Sequence, residues 1–157
     1  MAHQLTKEDI DKMEEEIEYR KLVVRKELLE AVKDARAQGD LSENFEYYAA
    51  KREKNKNESR IRYLDRMVRT AKIIEDHSAA DEVGIGDKVT VFFEDENEED
   101  TYELLTTVGS DSLNNRISIE SPIGKAVRGK KVGDRVKVVI NPEVSFYIII
   151  REIVKKS

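Results

Sequence analysis

The sequence contains no cysteine and no tryptophan, and its prolines are confined to Pro122 and Pro142. Without thiols there can be no disulfide framework and no thiolate metal site, which fits a reducing compartment. No apolar run is long enough to span a bilayer. The first residues, Met1 to Glu15, lack the apolar core with basic flanks that marks a secretory signal. The expectation is therefore a cytoplasmic protein with no membrane partner. Histidine is scarce as well: His3 and His77 are too isolated to suggest a zinc site. With no proline ahead of Pro122, nothing in the first 120 residues interrupts a helix on that account.

Charge is what the 157 residues have in excess. Asp, Glu, Lys and Arg make up 39% of the chain, against about a quarter in ordinary domains, and such an excess suits long exposed helices. The net charge of −5 argues against sequence-independent binding to free duplex DNA. Any role near nucleic acid must come from a local basic patch or from docking on another protein.

The two halves have different periodicities. Ile10, Ile17, Val24 and Ala31 recur every seven residues, with Met13, Leu28 and Ala35 interleaved. This is the narrow apolar seam of a coiled coil, and it predicts a helix from Thr6 to about Gln38. Thr6 is placed to cap it, Leu5 and Ile10 to staple it, and Gly39 to stop it. A second helix is predicted from about Leu41 to Asp76, with a seam of Tyr47, Ala50, Ile61, Leu64, Val68 and Ala71 and a polar centre at Lys54 and Asn57. Glu58–Arg62 and Asp65–Arg69 are favourable i,i+4 pairs. Two helices joined by a short Gly-Asp turn fold back as an antiparallel hairpin, each arm on the order of 50 Å long at ~1.5 Å per residue.

Residues 1–77 thus read as a helical arm and 78–157 as a separate, β-rich domain. Strands are predicted over 88–94, 101–108, 116–120, 134–140 and 144–154, with turn residues between them. One short helix fits among them, capped by Ser121, with Pro122 at its first position and Gly129 at its end. Gly86-Asp87-Lys88-Val89 and Gly133-Asp134-Arg135-Val136 are similar turn-to-strand entries. The fold class is α+β: an N-terminal antiparallel hairpin and a small C-terminal β-rich domain.

The turn between the helices reads Gly39-Asp40-Leu41-Ser42-Glu43-Asn44-Phe45-Glu46-Tyr47. Two readings fit. In one, Asp40 caps the second helix, Glu43 completes a capping-box-like pair, and Glu46 sits near the positive helix end. Spacing alone favours this. In the other, the carboxylates of Asp40, Glu43 and Glu46, clustered at the end of a rod, contribute hard oxygen ligands to a Mg²⁺ site completed by a partner. Behind the tip, Arg36, Lys51, Arg52 and Lys54 form a basic band suited to RNA phosphates, or else a solvated helix face.

The stretch Ala35-Arg36-Ala37-Gln38-Gly39-Asp40-Leu41-Ser42-Glu43-Asn44, with Glu46-Tyr47 and Ala49-Ala50-Lys51, resembles the tip signature of the GreA/GreB family of bacterial transcript-cleavage factors, and more closely GreA. Leu5-Thr6, Glu58-Ser59-Arg60-Ile61, Ser121-Pro122-Ile123-Gly124-Lys125-Ala126 and Gly129-Lys130-Lys131-Val132-Gly133-Asp134 extend the resemblance over nearly the whole chain. It implies an FKBP-like C-terminal domain that docks on RNA polymerase, with Ser121, Pro122, Ile123 and Lys125 at the docking face. It implies a hairpin that enters the polymerase secondary channel. There Asp40 and Glu43 would help hold a Mg²⁺ shared with the polymerase, supported by Asn44, Phe45, Glu46 and Tyr47. The polymerase would then cleave backtracked RNA at its 3′ end, so that the protein activates another enzyme's nuclease and is not an enzyme itself.

The chain departs from the family pattern at Phe45, where a small residue is common, and at Lys26, where a proline is frequent. An acidic Glu-Ala-Asp run is replaced by Asp111-Ser112-Leu113 in a shorter loop, and a Pro-Gly-Gly-like turn by Asn141-Pro142-Glu143. These departures keep open an alternative function, a channel-binding regulator that modulates polymerase without cleavage. A prolyl isomerase and a coiled-coil adaptor are the remaining alternatives.

Overall fold

A computed structural model describes residues 2–39 and 44–157. Asp40, Leu41, Ser42 and Glu43 lie outside the described residues, as does Met1. The chain divides into two compact units, Met1–His3 with Lys7–Lys72, and Gln4–Thr6 with Ile73–Ser157.

In the first unit, α1 (Lys7–Tyr19) runs into a π turn (Arg20–Val24) and on into α2 (Arg25–Arg36); α3 (Phe45–Thr70) packs against all three segments. Ile10 and Met13 are buried on α1, Ala35 on α2, and Tyr47, Asn57, Ile61, Leu64 and Met67 on α3. The strict seven-residue series does not survive the π turn. Leu28 and Val32 are half-buried while Ala31 is exposed. One residue is inserted at the π turn, and the seam moves round the helix by that residue. On α3 the inward position is Met67, with Val68 only half-buried.

The second helix is shorter than its periodicity suggests. It begins at Phe45 and ends at Thr70, because Ala71 is already extended (φ −65°, ψ 143°). The next residues form β2 (Lys72–Ile73), paired with β1 (Gln4–Leu5). The Lys72 amide donates to the His3 carbonyl and the Ile74 amide to the Leu5 carbonyl, each at 2.9 Å. Two consecutive β-branched residues, Ile73 and Ile74, favour that extended course.

The second unit is a five-stranded mixed sheet of order β5-β4-β3-β7-β6, formed by β3 (Lys88–Phe93), β4 (Glu98–Leu105), β5 (Arg116–Ser118), β6 (Arg135–Asn141) and β7 (Val144–Val154). Only the β4–β5 pair is parallel. The core side of the sheet carries Val89, Val91, Leu104, Val136, Val138, Ile148 and Ile150, closed by Val127 of α4 (Pro122–Val127). Alternation of buried and exposed residues along β6 gives this face directly.

The two Gly-Asp entries turn out to be the same device. Asp87 Oδ2 accepts from the Gly84 amide at 2.7 Å, and Asp134 Oδ2 from the Lys131 amide at 2.8 Å. Gly86 and Gly133 hold φ of +95° and +94°, a region open to glycine. Each turn then locks onto a core strand: Gly86 and Asp87 bond the backbone of Leu104, and Gly133 and Asp134 that of Ile150. Asp87 is buried, and its second oxygen accepts from the Lys156 amide at 2.7 Å while Lys155 Nζ lies 2.6 Å from Oδ2. Asp134 is exposed and has no need of such compensation. Among the described residues, no helix is long and apolar enough to cross a membrane.

Candidate functional site

Helix α2 ends in a tight series of bonds, Ala37 N–H to the Lys33 carbonyl at 3.1 Å and Gln38 N–H to the Ala35 carbonyl at 3.3 Å, followed by Gly39 at φ +119°. An added Cβ at Gly39 would touch nothing among the described residues, so the requirement for glycine is conformational. Asp40 and Glu43, the two carboxylates assigned to the metal, lie outside the described residues.

Asn44, just ahead of α3, does two jobs. Its Oδ1 accepts from the Tyr47 amide at 2.9 Å and so caps α3. Its Nδ2 donates to the Ala35 carbonyl at 2.6 Å, tying the start of one helix to the end of the other. The capping role that spacing gave to Asp40 therefore belongs to Asn44. The helix begins at Phe45, and the residue that caps it is the one immediately before.

Phe45 stands at the first position of α3 and is 85% exposed. Glu46 is exposed in the first turn, where the helix dipole favours its charge. Tyr47 is buried, with its ring edge-on to Tyr48 at 5.3 Å. The Arg36 guanidinium lies 5.7 Å from the Tyr47 ring centroid. A hydrogen bond from Arg36, aided by Lys51 and Lys54, draws the Tyr47 phenol below its usual pKa. Three of the four basic-band residues thus gather around one tyrosine. Arg52 is exposed and falls about 140° round α3 from Tyr47, away from that group.

Further from the tip the helices are joined by polar contacts. Arg25 makes a two-point contact with Glu58 at 2.9 and 2.8 Å. Glu58 therefore hydrogen-bonds across the hairpin, while Arg62 along its own helix donates to Ser59 Oγ at 3.0 Å and acts on Glu58 through its charge. The expected Asp65–Arg69 pair does form, at 3.1 Å. Glu16 receives Arg60 at 2.9 and 3.2 Å and Arg20 at 2.7 Å. The Arg60 hydrogen bond holds the Glu16 carboxyl below its ordinary range, and the Arg25 hydrogen bond does the same for Glu58. Asn57, only 3% exposed, meets Arg20 at two atoms. Sequence reading registered Asn57 as a polar break in the seam but missed Arg20 as its partner.

In the C-terminal unit, Ser121 caps α4 by accepting from the Gly124 amide at 3.1 Å and donates to the Ser118 carbonyl at 2.6 Å. Pro122 and Lys125 are exposed, whereas Ile123 packs on the core. Ser121 lines a surface groove of about 470 Å³ together with Ser110, Asp111, Ser112, Leu113, Arg116, Ile117 and Ser118. The substituted loop shapes that groove. Asp111 accepts from the Leu113 amide and the Asn114 side chain, and Leu113 is left 94% exposed. From sequence Leu113 stands out only as part of the replaced loop and not as an exposed side chain, because an isolated leucine in a polar loop carries no periodic signal.

Two family models together cover almost all of the chain. Residues 3–73 match the N-terminal domain of a transcription elongation factor. Residues 77–151 match the C-terminal domain of the GreA/GreB transcription elongation factor. The transcription elongation factor GreA of Caldanaerobacter subterraneus subsp. tengcongensis is 50% identical over 135 residues, covering 85% of this chain and 86% of that protein. That of Streptococcus suis is 44% identical over 155 residues, covering 98% and 96%. The solved structure of GreA factor homolog 1 (Gfh1) of Thermus thermophilus covers 99% of this chain and all of its own, at 23% identity and a TM-score of 0.46. With both halves matched in order, the chain belongs to the GreA/GreB family of transcription elongation factors.

Proposed function

We propose that this elongation factor works in the cytoplasm as an accessory to bacterial RNA polymerase. It carries Asp40 and Glu43 to the polymerase active centre on its hairpin and stimulates Mg²⁺-dependent cleavage of backtracked nascent RNA. The nuclease activity is the polymerase's own. The observation that carries this reading is the capping role of Asn44. With α3 capped by Asn44, a helix-capping duty no longer accounts for the acids at 40 and 43.

The donor chemistry fits the ion. Residues 39 to 47 offer carboxylates and no imidazole or thiolate, which suits a hard cation that takes one or two protein carboxylates and keeps its waters. When bound there, Mg²⁺ supplies water activation and charge neutralisation at a phosphodiester. The chain's own residues do the rest. Gly39 turns the backbone, and Asn44 ties the two helices behind the tip. Arg36, Lys51 and Lys54, gathered around Tyr47, present positive charge to the 3′ segment of the RNA. The C-terminal unit docks through the Ser121 face.

The test is RNA shortening in stalled, backtracked complexes of the cognate polymerase. Asp40→Ala or Glu43→Ala is expected to reduce it at least about tenfold, the lower end of what losing even an outer partner of a metal site costs. Unchanged cleavage with both variants removes the proposal. One observation favours the second reading, a regulator that occupies the channel without cleavage: the bulky Phe45 side chain, 85% exposed beside the tip. Cleavage stimulated by the unmodified chain counts against that reading.

A further inference from the structure

The cross-hairpin contact between Arg20 and Asn57 coincides with the π turn, and the two features explain each other. In the π turn the Arg25 amide bonds back to the Arg20 carbonyl, one residue further than an α-helix allows. That same carbonyl accepts from Asn57 Nδ2 at 3.3 Å, while Asn57 Oδ1 accepts from Arg20 Nη1 at 3.0 Å. One amide side chain thus reads both the backbone and the side chain of a single residue on the opposing helix. Among the described residues of the hairpin, Asn57 is the one fully buried polar side chain; it stands between Tyr47 and Ile61, where an aliphatic residue would bury more favourably.

Apolar seams are tolerant of sliding, since one leucine packs on its neighbour's partner nearly as well as on its own. A lone buried polar residue is not tolerant, because a shifted pairing leaves its amide unsatisfied. The flanking pairs, Glu16–Arg60 and Arg25–Glu58, are partly exposed, so a shifted register could replace them with water at little cost.

We infer that Asn57, through Arg20 and the π turn, is a positioning residue that fixes the axial register of the hairpin and with it the reach of the tip. The inference rests on the tip function proposed above. Its structural half is testable without polymerase. The chain's lack of cysteine allows spin labels at Glu27→Cys and Asn55→Cys, both exposed. Pulsed electron resonance on the full chain is expected to give one narrow distance distribution. Adding Asn57→Leu is expected to broaden it or move it by about one helical turn, 5.4 Å, while helicity and melting temperature are kept or raised. The double variant Arg20→Leu/Asn57→Leu, which leaves no unpaired polar group in the seam, is expected to behave alike.

In the cleavage assay Asn57→Leu is expected to lower the maximal rate by about 10²-fold, as ångström misplacement does. The concentration giving half-maximal effect should stay unchanged, because docking lies on the other unit. An unchanged narrow distribution in both variants overturns the register lock. A changed distribution with an unchanged maximal rate overturns the positioning role. If the unmodified chain stimulates no cleavage, the tip function fails, and the distance measurement still decides the lock.

Discussion

The helical hairpin and the sheet unit are built on opposite principles. The sheet unit is held by a contiguous apolar core in which Val89, Val91, Leu104, Val138, Ile148 and Ile150 are wholly buried. The hairpin buries a thin seam broken by Asn57 and is pinned by polar contacts at Glu16–Arg60, Arg20–Asn57, Arg25–Glu58 and Asn44–Ala35. Burial supplies stability without direction, whereas hydrogen bonds supply geometry with modest net energy. The unit proposed to dock is therefore the robust one, and the unit proposed to reach a reaction centre is the geometrically specified one.

The largest expected effect that tests this contrast lies in the sheet. Ile148→Ala is expected to cost about 2–5 kcal/mol through the lost methylenes and the cavity left behind, measured by denaturant unfolding. Next comes Asn44→Ala, which removes the α3 cap and the tie to Ala35. A cost of about 1–2 kcal/mol, confined to the hairpin, is expected from hydrogen exchange. Gly39→Ala should cost about 1 kcal/mol, since φ +119° is strained for any residue with a Cβ. A Gly39→Ala variant as stable as the parent would mean that the turn relaxes freely.

The smallest effect is an acid dependence. Glu16 and Glu58 both have folded-state pKa values below the ordinary 4.5. Their contribution is present above that value and is lost as pH falls through the lowered ones. Hairpin helicity should therefore weaken below about pH 4.5, and Glu16→Gln with Glu58→Gln should flatten that dependence.

The same contrast governs what the sequence reveals. Alternation in Arg135-Val136-Lys137-Val138 reads directly as a half-buried strand, and Ser121-Pro122 reads as a helix start, because burial and capping leave residue-type signatures. The fold class and the family follow from such signals. The shift in the hairpin seam was also written there: Met13 follows Ile10 by three residues, but Leu28 follows Val24 by four. An inserted residue between them is the simplest account, and the π turn supplies it. Arg20 was not legible, since an arginine on a charged helix looks solvated wherever it falls. The capping role of Asn44 was hidden by Asp40 and Glu43, whose spacing satisfies the same capping pattern four residues too early. Glu58 illustrates the general difficulty: it has one good partner along its helix and another across the hairpin, and only the fold selects Arg25.

The central claim is that the tip residues reach the polymerase active centre, and a photo-crosslinker attached at Ser42→Cys in this cysteine-free chain tests it most directly. In a backtracked complex the account expects crosslinks to the 3′ segment of the RNA and to the catalytic subunit, lost on competition by the unlabelled chain. Crosslinks only to surfaces remote from the RNA 3′ end, in complexes that are bound and backtracked, would contradict it.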